Sequence, residues 1–292
     1  MDYGLVLPAM GDDASREGIE AGCEAAERHG FGDVWGTDHL LVDQSADDDY
    51  GRIFEILTTL AWVAGRFERV RIGTSVIVVP MRNAVLLAKE LATMDELSGG
   101  RLIVGLGAGW SEQEFRNLGV HDHFHVRGAY LEEAIALFRH LWSGSREPFD
   151  GTFHAFDDFV FGPLPPQGAN VPIWLGGRSE AALQRVGRVA EAYHAAAIGP
   201  SSIADKALVI RAAAEAAGRP MPRLSSRVRV ELDGPARSSF YTMHGSPTDI
   251  AGEIRAFATA GVDHLALAFR ERDPEGLSSA VDRFVGEVLP LV

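Results

Sequence analysis

Residues 71–110 read RIGTSVIVVPMRNAVLLAKELATMDELSGGRLIVGLGAGW. A β-rich run, a helix-forming stretch and a second β-rich run follow one another. The first run is apolar enough for a buried parallel strand. The second ends in glycines. The alternation extends in both directions. Further β-rich runs are Tyr3–Pro8, Asp33–Thr37, Pro172–Gly176, Ala192–Ala197, Ser226–Leu232 and Asp263–Phe269, beside Val70–Val79 and Arg101–Leu106. Between them apolar residues recur at helical spacing: Ile19, Cys23 and Ala26; Ile53, Ile56, Leu57, Leu60 and Ala64; Leu131 to Trp142; Leu277 to Val288. Eight strand–helix units span the chain, which predicts an α/β fold, a (β/α)8 TIM barrel. A doubly wound open sheet uses the same alternation and is the rival architecture.

One interval is too long. Residues 143–171 form an insertion after the fourth helix, with Phe149, Phe153, Phe156, Phe159 and Phe161 among several prolines. It reads as a hairpin and loop, either a flap over the barrel mouth or a packing excursion. With no linker and no low-complexity stretch, residues 1–292 read as one domain.

The 292 residues carry 27 basic and 41 acidic side chains, a formal charge of −14. Such a balance argues against nucleic acid and anionic membrane surfaces as main partners. The lone cysteine, Cys23, can form neither an internal disulfide nor a cysteine-based zinc site, and it falls on an apolar helix face. Met1–Pro8 lacks the basic and apolar regions of a secretory signal, and no run reaches the ~18 apolar residues of a bilayer span. A cytoplasmic protein is the expectation.

In a barrel, chemistry sits at the C-terminal ends of the strands. There the second strand delivers Asp38 and His39. The histidine can move protons near neutral pH and the carboxylate can orient it, although a strand-end cap explains the pair as well. Ser75 and Thr74 are small polar residues inside an apolar strand. Gly105, Gly107, Ala108, Gly109 and Trp110 follow the fourth strand without the GxGxxG spacing of a dinucleotide turn. They require either close backbone approach or positive φ. Gly176, Gly177, Arg178 and Ser179 precede a helix and suit a phosphate cradle, or a plain N-cap at Ser179. His121, Asp122, His123 and His125 read as a solvated loop ahead of a helix, without i, i+4 spacing, so no metal site is expected. His194 and His264 sit within strands and read as hydrogen-bonded core.

Taken together, Phe31–Leu40, Arg71–Pro80, Asn83–Trp110, Arg127–Trp142 and Pro172–Ala181 resemble the luciferase-like monooxygenase superfamily, above all its deazaflavin-dependent branch. The stretch LAKELATMDELSGGRLIVGLGAGW is the most specific part. The last third is only generically similar. The resemblance implies a barrel with an insertion, usually a homodimer, with a flavin-type ring across the mouth. On that basis His39 and Asp38 lie beside the ring, with His39 a candidate for proton or hydride-path chemistry. Ser75–Val76 falls where the family often has a non-prolyl cis peptide behind the ring. Gly107, Ala108, Gly109 and Trp110 line the ring or side-chain channel, and Gly176, Gly177, Arg178 and Ser179 take the phosphate.

The implied activity is an oxidoreductase passing hydride between coenzyme F420 and a small organic substrate. The alternatives are a monooxygenase using reduced FMN and oxygen, and a non-catalytic flavin-binding protein. A separate flavin or F420 reductase is a candidate partner. One departure stands out. Sugar-phosphate dehydrogenases of the family have a glutamate directly after the Gly-x-Gly element, where this chain has Trp110. That weighs against a sugar-phosphate substrate.

Overall fold

The computed structural model describes residues 1–46, 50–236 and 240–292. The chain runs β1 (Asp2–Val6), α1 (Arg16–His29), β2 (Asp33–Gly36), α2 (Ile56–Arg66), β3 (Arg71–Thr74), β4 (Ile77–Val78), α3 (Ala84–Ser98), β5 (Leu102–Gly107), α4 (Glu112–Asn117) and α5 (Asp122–Trp142). It continues through β6 (Phe149–Asp150), β7 (Ala155–Phe156), β8 (Ile173–Leu175), α6 (Glu180–Val189), β9 (Ala192–Ala196), α7 (Pro200–Ala216) and β10 (Arg223–Leu232). It closes with β11 (Thr242–Gly245), α8 (Pro247–Thr259), β12 (His264–Phe269) and α9 (Pro274–Arg283).

Sequence sets the helix ends locally. Ser15 caps α1, its hydroxyl accepting from the Gly18 amide, and Gly30 stops it in the left-handed region at φ 72°. Asn83 and Gly99 do the same for α3. Cys23 is wholly buried under α1, and burial pushes its thiol far above the ordinary range. Among the described residues no helix is long and apolar enough to cross a membrane.

The strands pair in parallel in the order β1, β2, β3, β5, β8, β9, β10, β12. Gly4 of β1 lies opposite both Asp33 of β2 and Ala266 of β12, so the sheet closes on itself. That closure selects the barrel over the open sheet. β11 adds a short parallel strand to the upper half of β10.

A barrel interior is ordinarily filled by branched aliphatic side chains. Here two indoles and two imidazoles share it. Trp35 lies 5.0 Å from Trp174, ring centre to ring centre, and stacks on His194 at 4.7 Å and 18°. His264 stands edge-on to Trp174 at 5.1 Å. Gly4 and Gly73 admit the Trp35 ring, since a Cβ at either position would collide with it.

The expected strand over Val70–Val79 is broken. The Ser75–Val76 peptide is cis, the conformation that the resemblance implies at that bond, and it separates β3 from β4. Both halves still pair with β5. Gly105 and Gly107 of β5 lie against the break: a Cβ on the first would strike the Thr74 carbonyl, and one on the second would come 2.7 Å from Val76. These glycines therefore serve the chain's own packing.

The insertion contains an antiparallel hairpin, β6–β7. Glu133 of α5 accepts from the amides of Thr152, Phe153 and His154 at 2.6–2.8 Å. Lys89 of α3 donates to the Gly162 carbonyl and lies over Phe161. The five phenylalanines pack against the main core. These contacts tie the insertion to the outer helices α5 and α3.

Candidate active site at the barrel mouth

Asp38 and His39 follow β2 at the C-terminal end of the barrel, and both are buried. Their partners differ. His39 Nδ1 lies 2.9 Å from Glu114 Oε2. The other oxygen of Glu114 accepts from the amides of Leu40 at 2.6 Å and Leu41 at 3.2 Å. An ionised carboxylate only accepts, so Nδ1 carries the proton and Nε2 is left with a lone pair when the ring is neutral. Among the described residues Nε2 has no hydrogen-bond partner. Burial pushes the Glu114 carboxyl up, but the bonds from His39, Leu40 and Leu41 outweigh it and hold it below its ordinary value.

Asp38 faces a different network. It accepts from the Val78 amide at 2.9 Å and from Arg82 Nη2 at 2.7 Å. The same guanidinium nitrogen reaches Glu55 at 3.1 Å. Burial pushes the Asp38 carboxyl upward, and Arg82 opposes that push. Asp38 thus ties the end of β2 to the segment just past the cis peptide. Among the described residues no hydrogen bond joins it to the His39 ring.

Glu114 was not singled out from sequence as a site residue. Ser111-x-x-Glu114 has capping-box spacing. Half of the box forms, with Ser111 Oγ accepting from the Glu114 amide at 3.2 Å. The carboxylate that should reach back to the N-cap crosses instead to His39.

An aromatic wall stands beside this pair. Tyr50 lies 4.3 Å from the His39 ring and Trp110 5.9 Å, in edge contact. Trp110 is 59% exposed, an unusual position for an indole. Gly109, with φ 81°, turns the chain against Val78 and Phe115. Ala108 is partly buried against the core.

At the end of the neighbouring strand β3, Ser75 donates its amide to the Gly36 carbonyl at 2.7 Å and reaches into the barrel, where its Oγ lies 2.8 Å from His194 Nε2 and its carbonyl accepts from Arg227 Nη1 at 2.9 Å. Arg227 projects inward from β10 and was not singled out from sequence. Its signal is the alternation Ser225, Arg227, Arg229 against Leu224, Val228, Val230, with the apolar set buried outward in the main core.

At the end of β8, Gly177 has φ 133° and its carbonyl accepts from the Tyr193 hydroxyl at 2.9 Å. Arg178 donates to the Ala196 carbonyl at 2.7 Å. Ser179 caps α6 by accepting from the Ala182 amide at 3.3 Å. A Cβ at Gly176 would come 3.7 Å from Val76 and 3.5 Å from the His194 carbonyl, ordinary contact distances. The four residues stand together at a helix N-terminus at the mouth, with the serine and arginine side chains already engaged.

The histidine-rich segment differs from expectation. It opens α5, so His121 and His125 lie one turn apart at the helix start and not in a loop. Their ligand atoms and one from Glu112 lie within 4.8 Å of one another. His121 bonds Glu112 at 2.8 Å, and Arg116 pairs with the same oxygen at 2.6 Å.

Residues 8–236 match the family described as luciferase-like monooxygenase. The chain belongs to the luciferase-like monooxygenase family. A family relative from Kineococcus radiotolerans, an F420-dependent glucose-6-phosphate dehydrogenase, is 27% identical over 249 residues, 83% of this chain and 72% of its own. Another, the FMNH2-dependent dimethylsulfone monooxygenase of Pseudomonas putida, is 30% identical over 174 residues, 58% of this chain. The chain spans about half of that relative's length, 46%. A solved F420-dependent secondary alcohol dehydrogenase, in complex with an F420–acetone adduct, superposes with TM-score 0.82. It is 20% identical and covers 100% of this chain and 98% of its own, which establishes the shared luciferase-like fold.

Proposed function

We propose that this chain is an F420-dependent oxidoreductase that passes a hydride between the deazaflavin and a small organic substrate, with His39 as the proton-handling group. The carrying observation is the His39–Glu114 pair. It leaves one imidazole nitrogen uncommitted at the mouth of a barrel whose relatives include F420-dependent dehydrogenases. The residues present suit a flat ring. An exposed indole and a phenol stand at the His39 ring, and the Ser75–Val76 turn follows the neighbouring strand, where Gly107 leaves room for the Val76 side chain. Bound there, a 5-deazaflavin supplies hydride and does not readily activate oxygen.

The chain's own part is then limited and definite. His39 Nε2 takes or gives the proton that accompanies hydride transfer, and Glu114 stabilises the imidazolium that results. Trp110 shields one side of the mouth from water. Asp38 acts through Val78 and Arg82 by holding the segment that bears the ring-supporting turn. Gly176, Gly177, Arg178 and Ser179 are the candidate phosphate contacts, through backbone amides at the start of α6. The substrate is a small molecule without a sugar phosphate, because Trp110 replaces the acidic residue expected after Gly109. A single-domain homodimer in the cytoplasm, supplied by a separate flavin or F420 reductase, completes the reading.

The test is a paired titration of purified protein with F420 and with FMN, followed by fluorescence quenching in one buffer. Saturable binding of F420 with little response to FMN supports the reading. Binding of FMN alone overturns it in favour of a reduced-FMN monooxygenase, the reading that the dimethylsulfone relative favours. Sedimentation as a monomer would overturn the dimer.

A further inference from the structure

A chain of hydrogen bonds crosses the barrel interior from mouth to floor. Ser75 Oγ lies 2.8 Å from His194 Nε2, and His194 Nδ1 lies 2.9 Å from Ser225 Oγ. Ser225 Oγ lies 2.7 Å from His264 Nδ1, and His264 Nε2 lies 3.0 Å from Asp33 Oδ1. The same Asp33 oxygen accepts from the Trp35 indole N–H. All of these side chains are buried. Five strands contribute to or flank the line, and each link joins groups that can either give or take a hydrogen, except the last.

Asp33 breaks the ambiguity. Trp35 can only donate, so Asp33 Oδ1 is an acceptor. Asp33 also acts on Arg71, whose guanidinium it holds up against the lowering effect of burial. His264 must then give its Nε2 hydrogen to Asp33. If it is neutral, its Nδ1 must accept from the Ser225 hydroxyl. Ser225 then accepts from His194 Nδ1–H, and His194 Nε2 accepts from the Ser75 hydroxyl. The opposite end agrees. Arg227 bonds the Ser75 carbonyl at 2.9 Å. Burial lowers its guanidinium to about 10, still cationic near neutrality. Every N–H and O–H dipole in the line therefore points its positive end at an anion and its negative end at a cation. Reversing the rest of the line requires a second proton on His264 and turns its three other links against both charges. Burial, with His264 and Arg227 as neighbours, drives His194 well below the ordinary imidazole value, so it stays neutral.

We propose that this directed line, anchored by Asp33 and Arg227, makes Ser75 a hydrogen-bond acceptor toward the mouth, and that Ser225, His194 and His264 are positioning residues that hold it so. Ser75 then recognises an N–H edge of the ligand at the mouth and supplies no proton to it. Proton traffic is confined to His39, at the end of the neighbouring strand. This last step rests on the reading of the mouth as a deazaflavin site; the polarity of the line does not.

The experiment is two-bond nitrogen–proton correlation on the cofactor-free protein labelled with 15N-histidine. One signal is assigned to His194 by its loss in His194→Gln, and another to His264 by its loss in His264→Gln. Should either variant fail to fold, His194→Asn or His264→Asn makes the same assignment, and through-space contacts to the Trp35 and Trp174 rings make it in the native protein. The expected result is a neutral His194 with its proton on Nδ1 and a neutral His264 with its proton on Nε2. A proton on His194 Nε2, or an imidazolium at His264, overturns the proposal. Ser225→Ala cuts the line. It is expected to leave His194 as a mixture of both tautomers, and an unchanged single tautomer counts against coupling through Ser225. Ser75→Ala, added to the F420 titration, is expected to weaken binding about tenfold, the value of one hydrogen bond. Expected tautomers with no F420 binding by the native protein would overturn the cofactor reading and leave the line's polarity standing.

Discussion

His39 Nδ1 and Glu114 Oε2 lie 2.9 Å apart, in residues separated by 75 positions, with both side chains closed to solvent. The bond fixes which imidazole nitrogen can do chemistry. Replacing His39 by alanine is expected to lower kcat by about 10²–10⁴-fold, the usual contribution of a positioned acid–base group. F420 affinity should change little. Glu114→Gln keeps an oxygen for the Leu40 and Leu41 amides but loses the charge. It should cost about tenfold to a hundredfold, from a charge-assisted bond of about 1.5–3 kcal/mol. Steady-state rates of the folded variants decide this, and unchanged turnover in His39→Ala would remove His39 from the mechanism.

Acid should weaken the fold through the same carboxylate. Glu114 has a folded value below its unfolded one, as do Glu133 under the hairpin and Glu55 at the start of α2. For such groups the stabilisation is complete above the unfolded value, about 4.3 for glutamate, and is lost as pH falls through the folded value. The urea midpoint should therefore hold from neutrality to about pH 5 and fall below it. Glu114→Gln should flatten part of the fall. An acid limb identical in the variant and the native protein would contradict the assignment.

Arg82 opposes the upward push that burial exerts on the Asp38 carboxyl. Arg82→Met strips Asp38 of its partner and should destabilise the fold by about 3–5 kcal/mol, the cost of an unpaired buried charge. Adding Asp38→Asn should recover part of that loss. Urea denaturation of the two single variants and the double measures the coupling. A loss under about 1 kcal/mol in Arg82→Met would place the pair among ordinary surface bridges.

Two glycine substitutions should act in opposite directions. Gly105→Ala drives a methyl into the Thr74 carbonyl beside the cis peptide and should destabilise severely. Gly65 lies in α2 with nothing within 4 Å of an added Cβ. Gly65→Ala should raise stability by about 0.5–1 kcal/mol, the helical preference for alanine. Thermal melts of the two variants test both signs.

The fold was largely legible because its signals are local. Ser15 and Gly30, or Asn83 and Gly99, state where helices begin and end, and alternating runs state where strands lie. The site was legible to the extent that strand ends locate it, which brought His39 and Trp110 together. Glu114 was hidden because a capping box explains Ser111-x-x-Glu114 completely at the level of one helix. The purpose of Gly105 and Gly107 was hidden for the opposite reason. Their partner is a backbone turn thirty residues earlier in the chain, and nothing local distinguishes room for Val76 from room for a ligand. The histidines before Tyr130 were misread because the helix begins at Asp122, more than two turns ahead of the apolar pattern that starts at Leu131. Asp33, Ser225, His194 and His264 each look like an isolated polar residue in a strand. Only barrel closure, with β12 beside β1, makes them a line.

The five tryptophans divide sharply in their surroundings. Trp35, Trp142 and Trp174 are buried, while Trp62 and Trp110 are 37% and 59% exposed. Trp62 lies on α2, between the guanidinium groups of Arg16 and Arg66. Trp62→Phe would leave Trp110 as the one strongly solvated indole, standing at the barrel entrance. Its emission would be the reddest in the molecule and the first to move when anything enters. The protein thus carries its own optical probe, and screening of unlabelled compounds against the entrance requires no dye.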